Sequence, residues 1–311
     1  MRRALAVLAA LALGGAGLAW WLTAPDPIPE AQLAGITGDA GRGATLFAAA
    51  GCASCHVSPD AADLEGPPVL GGGQRFVTQF GTFVAPNISP SPQGIGDWTD
   101  AQVINATMRG VSPEGRHYYP AFPWNAYGKA EVQDIADIVA HIRTLPASAA
   151  PSLPHEVPFP FNIRRAIGGW KLLFRQDDWV LQGDLTEQQA HGRYLVEALA
   201  HCGECHTPRN LLGGLRTGAW LAGAPDPSGD GWNPNITPGG LDWSEEAIAA
   251  MLQSGFTPEF DVVAGEMREV VENTSQLSDE DRRAIAAYLK AVPPVRSSAP
   301  EPGTGDSAAE E

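Results

Sequence analysis

Gly51-Cys52-Ala53-Ser54-Cys55-His56 and His201-Cys202-Gly203-Glu204-Cys205-His206 are one phrase written twice. The repetition continues around them. Pro86-Asn87-Ile88-Ser89 answers to Pro234-Asn235-Ile236-Thr237, Asp97-Trp98-Thr99 to Asp242-Trp243-Ser244, and Gly110 to Gly255. The spacing between partners drifts by only a few residues, so the chain carries two copies of one fold with small loop differences. Each copy closes with apolar residues every three or four positions, the period of a helix with one buried face. These are Val132, Ile135, Ile138, Ile142 and Leu145 in the first copy, and Ile285, Tyr288, Leu289 and Val292 in the second. A proline follows each run, Pro146 and Pro293, as expected where a helix stops. Similar patterns over 43–50, 100–109, 187–200 and 244–254, with little strand-like alternation, predict an all-α fold.

The two phrases carry the chemistry. Cys52-x-x-Cys55-His56 and Cys202-x-x-Cys205-His206 have the spacing of covalent haem attachment. Two thiols one helical turn apart reach the two vinyl groups of one porphyrin, and the next residue, His56 or His206, meets the iron from the proximal side. A tetrahedral zinc site needs four ligands and each phrase supplies three. A thiol redox motif wants a βαβ setting, which is missing. All four cysteines fall in this pattern, so the expected cofactors are two haem c groups. For the hydrogen bond that orients each proximal imidazole, a backbone carbonyl near Pro67-Pro68 or Pro208 is the first expectation. Trp98, Trp243, Asn87 and Asn235 are expected around the haems, or equally, for the two asparagines, at ordinary turns.

The distal sides differ. Met267 sits in an expected loop before the last helix, and its thioether suits ferrous iron as the sixth ligand of the second haem. In the first copy Phe122 stands as far beyond Trp98 as Met267 stands beyond Trp243, and phenylalanine cannot ligate iron. His117, five residues upstream, is the leading substitute. An open or water-bound iron comes next, followed by Met108, His141 and His155.

The 311 residues suggest about two domains, and 44% hydrophobic residues supply their cores. Gly 35 and Pro 27 imply many turns. A net charge of −16 speaks against nucleic acid as a partner, since phosphate binding needs clustered Lys and Arg. At the N-terminus, Arg2 and Arg3 precede an uncharged apolar run of nineteen residues, Ala4 to Leu22. As a helix it spans about 28 Å, close to a bilayer core. The arginines place its start in the cytoplasm, and Trp20 and Trp21 fall at the far interface. The competing reading is a signal peptide cleaved after Gly17-Leu18-Ala19; either way the remainder is exported. The expected layout is an anchor at 1–24, a Pro-rich tether at 25–36, domains at 37–147 and 187–294, and an aromatic, Pro-rich connector at 148–186. A disordered acidic tail follows at 295–311.

With these motifs, Tyr119-Pro120-Ala121-Phe122-Pro123-Trp124 and Gly265-Glu266-Met267 in place, the chain resembles the membrane-anchored multihaem cytochrome c subunits of periplasmic dehydrogenases. The resemblance runs from about residue 37 to 294. It implies two tandem class I-like cytochrome c domains that relay single electrons at the inner membrane, haem domains facing the periplasm. The donor would be a dehydrogenase subunit and the acceptor quinone, an oxidase or a soluble cytochrome. Two departures stand out: those subunits usually carry three haem motifs, and they commonly have Met where this chain has Phe122. The second departure motivates the alternative of a dihaem enzyme, a peroxidase or thiosulfate-type dehydrogenase, with the first haem as the reactive iron. A haem-based sensor is a third reading.

Overall fold

The computed structural model describes residues 1–61, 65–227, 229 and 231–296. The tail expected to be disordered lies, from residue 297 on, outside the described residues. The chain divides into two compact units, the first drawn mainly from residues 1–178 and the second mainly from 179 onward.

Residues 1–178 contain α1 (Arg2–Leu22), α2 (Glu30–Leu33), α3 (Ala40–Ala49) and α4 (Cys52–His56). A hairpin of β1 (Arg75–Thr78) and β2 (Gly81–Val84) follows, then α5 (Asp100–Arg109), α6 (Trp124–Tyr127), α7 (Val132–Ile142) and α8 (Ala166–Phe174). The second unit contains α9 (Glu187–Tyr194), which runs into a π turn at Leu195–Leu199, and α10 (Gly203–His206). A two-residue ladder of β3 (Ala224–Pro225) and β4 (Trp232–Asn233) precedes α11 (Glu245–Ser254), α12 (Glu266–Thr274) and α13 (Asp279–Ala291). The expected helical class holds. The two small hairpins carried no alternation that a sequence could display.

The repeated Asp-Trp-Thr/Ser and Gly signals are the start and stop of one helix in each copy. Thr99 caps α5, accepting from the Gln102 amide at 3.2 Å while the Gln102 side chain accepts from the Thr99 amide at 2.9 Å. Ser244 caps α11 through the Ala247 amide at 3.2 Å. Both helices end on a left-handed glycine, Gly110 at φ 56° and Gly255 at φ 75°, a conformation that costs other residues.

The opening and closing helices of each unit pack backbone to backbone. A Cβ added to Gly43 of α3 would run into the Asp137 carbonyl on α7, and one added to Gly192 of α9 into the Ala284 carbonyl on α13. Beside these crossings lie Phe47 against His141, with ring centroids 5.2 Å apart, and the fully buried Tyr288. The closing helices bury the periodic residues read from the sequence: Ile135, Ile138 and Ile142, and Ile285 and Leu289.

Within the connector, residues to Asp178 belong to the first unit and those from Trp179 to the second. Among the described residues α1 is the one helix long and apolar enough to cross a membrane, and none of it is buried. It is compatible with a membrane or periplasmic location.

Gly192→Val forces the α9–α13 crossing apart and is expected to cost about 1–3 kcal/mol, the usual penalty of overpacking. Gly169→Ala, inside α8 with open space around it, is expected to leave stability the same or raise it by up to about 1 kcal/mol. Chemical unfolding of the two variants measures the contrast; equal midpoints would mean that the crossing tolerates a side chain.

Candidate functional site

α4 carries Cys52, Cys55 and His56, and in the second copy Cys202 is the N-cap of α10, which carries Cys205 and His206. His56 Nδ1 lies 2.9 Å from the Pro86 carbonyl oxygen, and His206 Nδ1 lies 2.8 Å from the Pro234 carbonyl oxygen. A carbonyl only accepts, so in both copies Nδ1 carries the proton and donates it. The lone pair is left on Nε2, as a ligand to a metal requires. Burial lowers the pKa of both imidazoles and keeps them neutral.

The carbonyls are presented by matching loops. Gly72 donates to the His56 carbonyl at 2.8 Å, as Gly223 does to the His206 carbonyl at 2.8 Å; Ile88 donates to Leu70 at 3.0 Å and Ile236 to Leu221 at 3.0 Å. The buried Asn87 accepts from the Ser89 amide at 2.8 Å and donates to the Ser148 and Ala150 carbonyls at 3.0 and 2.7 Å. The buried Asn235 accepts from the Thr237 amide at 2.9 Å and donates to the Val295 carbonyl at 2.7 Å. Each asparagine thus clamps the carbonyl-bearing loop to the segment that follows the closing helix. The orienting carbonyls are those of Pro86 and Pro234, not of the prolines directly after the haem motifs. The signal lay in the repeated Pro-Asn-Ile, whose asparagines the sequence left equally open to hydrogen bonding around the haems and to ordinary turns.

These residues fit a covalently held haem. Neither cysteine pair forms a disulfide. Burial pushes the Cys202 thiol up to about 11 and the Cys205 thiol up to about 12, the reverse of an activated redox thiolate. Among the described residues no three His, Cys, Asp or Glu side chains gather as a metal cage, so neither copy offers a tetrahedral zinc set. In the second copy, Gly203 has no room for a side chain because the Trp220 ring lies against it.

Residues 40–146 match the Cytochrome c family, and residues 187–289 match the family of Cytochrome C oxidase, cbb3-type, subunit III. The chain is 55% identical to a diheme cytochrome c-type protein of Cereibacter sphaeroides, over 95% of this chain and 100% of that one. The chain belongs to the dihaem c-type cytochromes. It is also 38% identical to the fructose dehydrogenase cytochrome subunit of Gluconobacter japonicus, over 81% of this chain and 52% of that one. With the gluconate 2-dehydrogenase cytochrome c subunit of Pantoea cypripedii it shares 33% identity, over 81% of this chain and 59% of the other. It therefore spans little more than half the length of these two dehydrogenase subunits.

The dihaem cytochrome carries two haem c groups and transfers electrons; nothing in its relatives favours a peroxidase. When bound, haem supplies one-electron chemistry, while the protein orients the imidazoles and sets the surroundings of the iron.

On the distal side the copies superimpose in pattern and differ in chemistry. Val111 bridges His117 as Phe256 bridges Val262, so the backbone counts Phe122 against Met267 and His117 against Val262. Met267 is half-buried in the first turn of α12 rather than in a loop; Gly265, at φ 60°, caps that helix. Phe122 is half-buried between Tyr118 and Tyr127, with ring centroids 6.3 and 5.9 Å away.

His117, expected as a ligand, meets Thr23 through one ring nitrogen and leaves Nδ1 buried without a hydrogen-bond partner. It is 2% exposed, and its Nε2 donates to the Thr23 carbonyl at 3.0 Å, while Gly168 lies against it. To ligate through Nε2 the ring would have to give up that bond. His155 Nδ1 accepts from the Val84 amide at 3.1 Å, so its Nε2 holds the proton, and burial lowers its pKa to about 4. Met108 is buried within α5, and His141 on α7 packs on Phe47.

The dihaem cytochrome has one network that sequence reading missed. Trp220 Nε1 donates to Tyr288 Oη at 3.0 Å, and Tyr288 donates to Glu197 at 2.6 Å. Glu197, 1% exposed, also accepts the Val180 and Leu181 amides at 2.6 and 3.1 Å. The ring against Gly203 is therefore tied through three side chains to the start of the second unit. Glu197→Ala strands the buried Tyr288 hydroxyl and two part-buried amides and is expected to cost about 2 kcal/mol or more, at roughly 1–3 kcal/mol for a fully buried unsatisfied group. Denaturant unfolding followed through the haem absorbance measures it, and a loss below about 1 kcal/mol would show the network to be dispensable.

Proposed function

We propose that this dihaem cytochrome passes electrons singly from a periplasmic dehydrogenase to a respiratory acceptor, an oxidase or a soluble cytochrome, while α1 holds it to the cytoplasmic membrane. The duplicated imidazole–carbonyl lock carries the reading. Both copies invest in a fixed, neutral proximal ligand. The dehydrogenase donor is supported by the fructose dehydrogenase and gluconate 2-dehydrogenase cytochrome subunits among its relatives. The single span is supported by the 21-residue apolar α1, with Arg2 and Arg3 at its start and Trp20 and Trp21 at its end. The net charge of −16 steers a basic or neutral partner and makes docking weaken as salt rises.

Met267 is the sixth ligand of the second haem in this proposal. The first haem has Phe122, which cannot ligate iron, in the matching place, and in this proposal its distal side has no strong protein ligand; the competing base is His117 Nδ1, buried without a hydrogen-bond partner. Carbon monoxide, added to the ferrous protein, is expected to bind at the first haem and not at the second. Met267→Ala opens the second as well. Uptake at neither haem in the unmodified protein would overturn the open first site, and unchanged uptake in Met267→Ala would remove Met267 as a ligand.

Replacing the thioether with imidazole favours ferric iron. Met267→His is therefore expected to lower the potential of one haem and leave the other in place. Spectroelectrochemical titration separates the two waves, and an unshifted pair would exclude Met267 from the iron.

A further inference from the structure

α8 inverts the usual arrangement of a surface helix. Its cation turns inward and its large apolar side chains turn out. Lys171 donates to the carbonyls of Arg109 and Gly110 and sits 4.4 Å from the centre of the Trp124 ring. Just before the helix, Arg164 donates to the His117 carbonyl at 3.1 Å and covers the Tyr119 ring. Leu172 and Leu173 are 59% and 69% exposed, and in the preceding turn Phe159, Phe161 and Ile163 are 78%, 45% and 47% exposed. Single exposed apolar residues are ordinary, but a cluster of this kind marks a surface that is covered in use.

What covers it follows from where α8 is tied. Arg165 donates to the carbonyls of Trp20 and Thr23, at the C-terminal end of α1, and its guanidinium lies 4.3 Å from the centre of the Trp20 ring. His117 holds the same Thr23 carbonyl, and Gly168 of α8 approaches it too closely to admit a side chain. The start of α8 is thereby keyed to the last turn of α1. As a helix of 21 residues, α1 is about 31 Å long, which matches a hydrocarbon core of about 30 Å. Its last turn then lies at the membrane surface, and α8 lies at the depth of the headgroups.

We infer that α8 and the turn at 159–163 form a second membrane contact, with Leu172, Leu173, Phe159 and Phe161 entering the boundary between headgroups and acyl chains of the periplasmic leaflet. The inference rests on the reading that α1 spans the membrane. The cationic heads nearby are consumed by carbonyls, aromatic rings and, for Arg175, by Asp177 at 2.8 Å. The contact is therefore apolar and does not depend on anionic lipid. Interfacial helices normally combine an apolar face with outward-facing Lys and Arg; here the neighbouring span supplies the attachment that those charges would provide. A single span leaves a domain free to swivel about it, whereas two contacts fix the tilt of the first unit over the bilayer.

The test uses the full-length, haem-loaded protein in phosphatidylcholine nanodiscs. The four native cysteines are bound to haem, so one introduced cysteine takes a nitroxide label alone. Labels are placed at Leu173→Cys, at Leu11→Cys in α1, and at Leu211→Cys, a 93% exposed position in the second unit. Power saturation with oxygen and with a water-soluble nickel chelate reports depth. The expected result is oxygen-rich, nickel-protected behaviour at Leu173→Cys, unchanged when phosphatidylglycerol is added, with the reverse at Leu211→Cys. A label at Leu173→Cys as open to nickel as that at Leu211→Cys, while Leu11→Cys reports the bilayer centre, overturns the inference and leaves the span intact. Protection from nickel without a gain in oxygen contact assigns the surface to a protein neighbour and also overturns it. Water access at Leu11→Cys removes the span and, with it, the inference.

Discussion

The bond from each proximal imidazole to a proline carbonyl governs the rest of both units. Because a carbonyl cannot donate, His56 and His206 have one tautomer available while that bond stands, and Nε2 is left as the basic nitrogen. The carbonyl is useful only if it stays in place. Asn87 and Asn235 hold it by reaching to Ser148 and Ala150, or to Val295, beyond the closing helices. The closing helices are in turn set by the glycine crossings with α3 and α9. Ligand geometry at one atom thus draws on contacts distributed over each unit, the usual way in which a surrounding shell tunes a metal centre.

The two copies keep this proximal side and change what surrounds it. Where the second copy has the fully buried Tyr288, hydrogen-bonded to Glu197 and Trp220, the first has His141 packed on Phe47. Where the second has Met267, the first has Phe122 between two tyrosines. These two differences fall on groups that alter polarity or ligation, while the starts and stops of α5 and α11 and the glycine crossings are repeated. A duplicated scaffold with separately adjustable surroundings suits electron transfer, because environment alone sets the potential of each haem.

Much of this was legible in the residues. The attachment phrases, their duplication, the closing helices and the capped α5 and α11 all carry local signals: spacing, period and cap chemistry. The orienting carbonyls carry none, since any residue has a carbonyl and only the fold decides which one reaches the ring. The partner of His117 was illegible for a related reason. Nearness in sequence to Phe122 made this histidine a candidate ligand, and nothing local showed that its Nε2 reaches Thr23, 94 residues away in the chain. The short α12 around Met267 lacked a clear apolar run, so its first turn read as loop. Glu197, inside an apolar stretch, gave no hint that two backbone amides and Tyr288 would converge on it.

The sequence by itself determined the cofactor and its number, because covalent attachment needs two thiols and an imidazole within one helical turn, and that requirement is satisfied locally. It also determined the helical class through apolar period. The tertiary structure alone decided which carbonyl orients each imidazole, which carbonyl His117 reaches, and where α8 lies against α1. Those outcomes depend on groups that meet across tens of residues, and no local pattern encodes such a meeting.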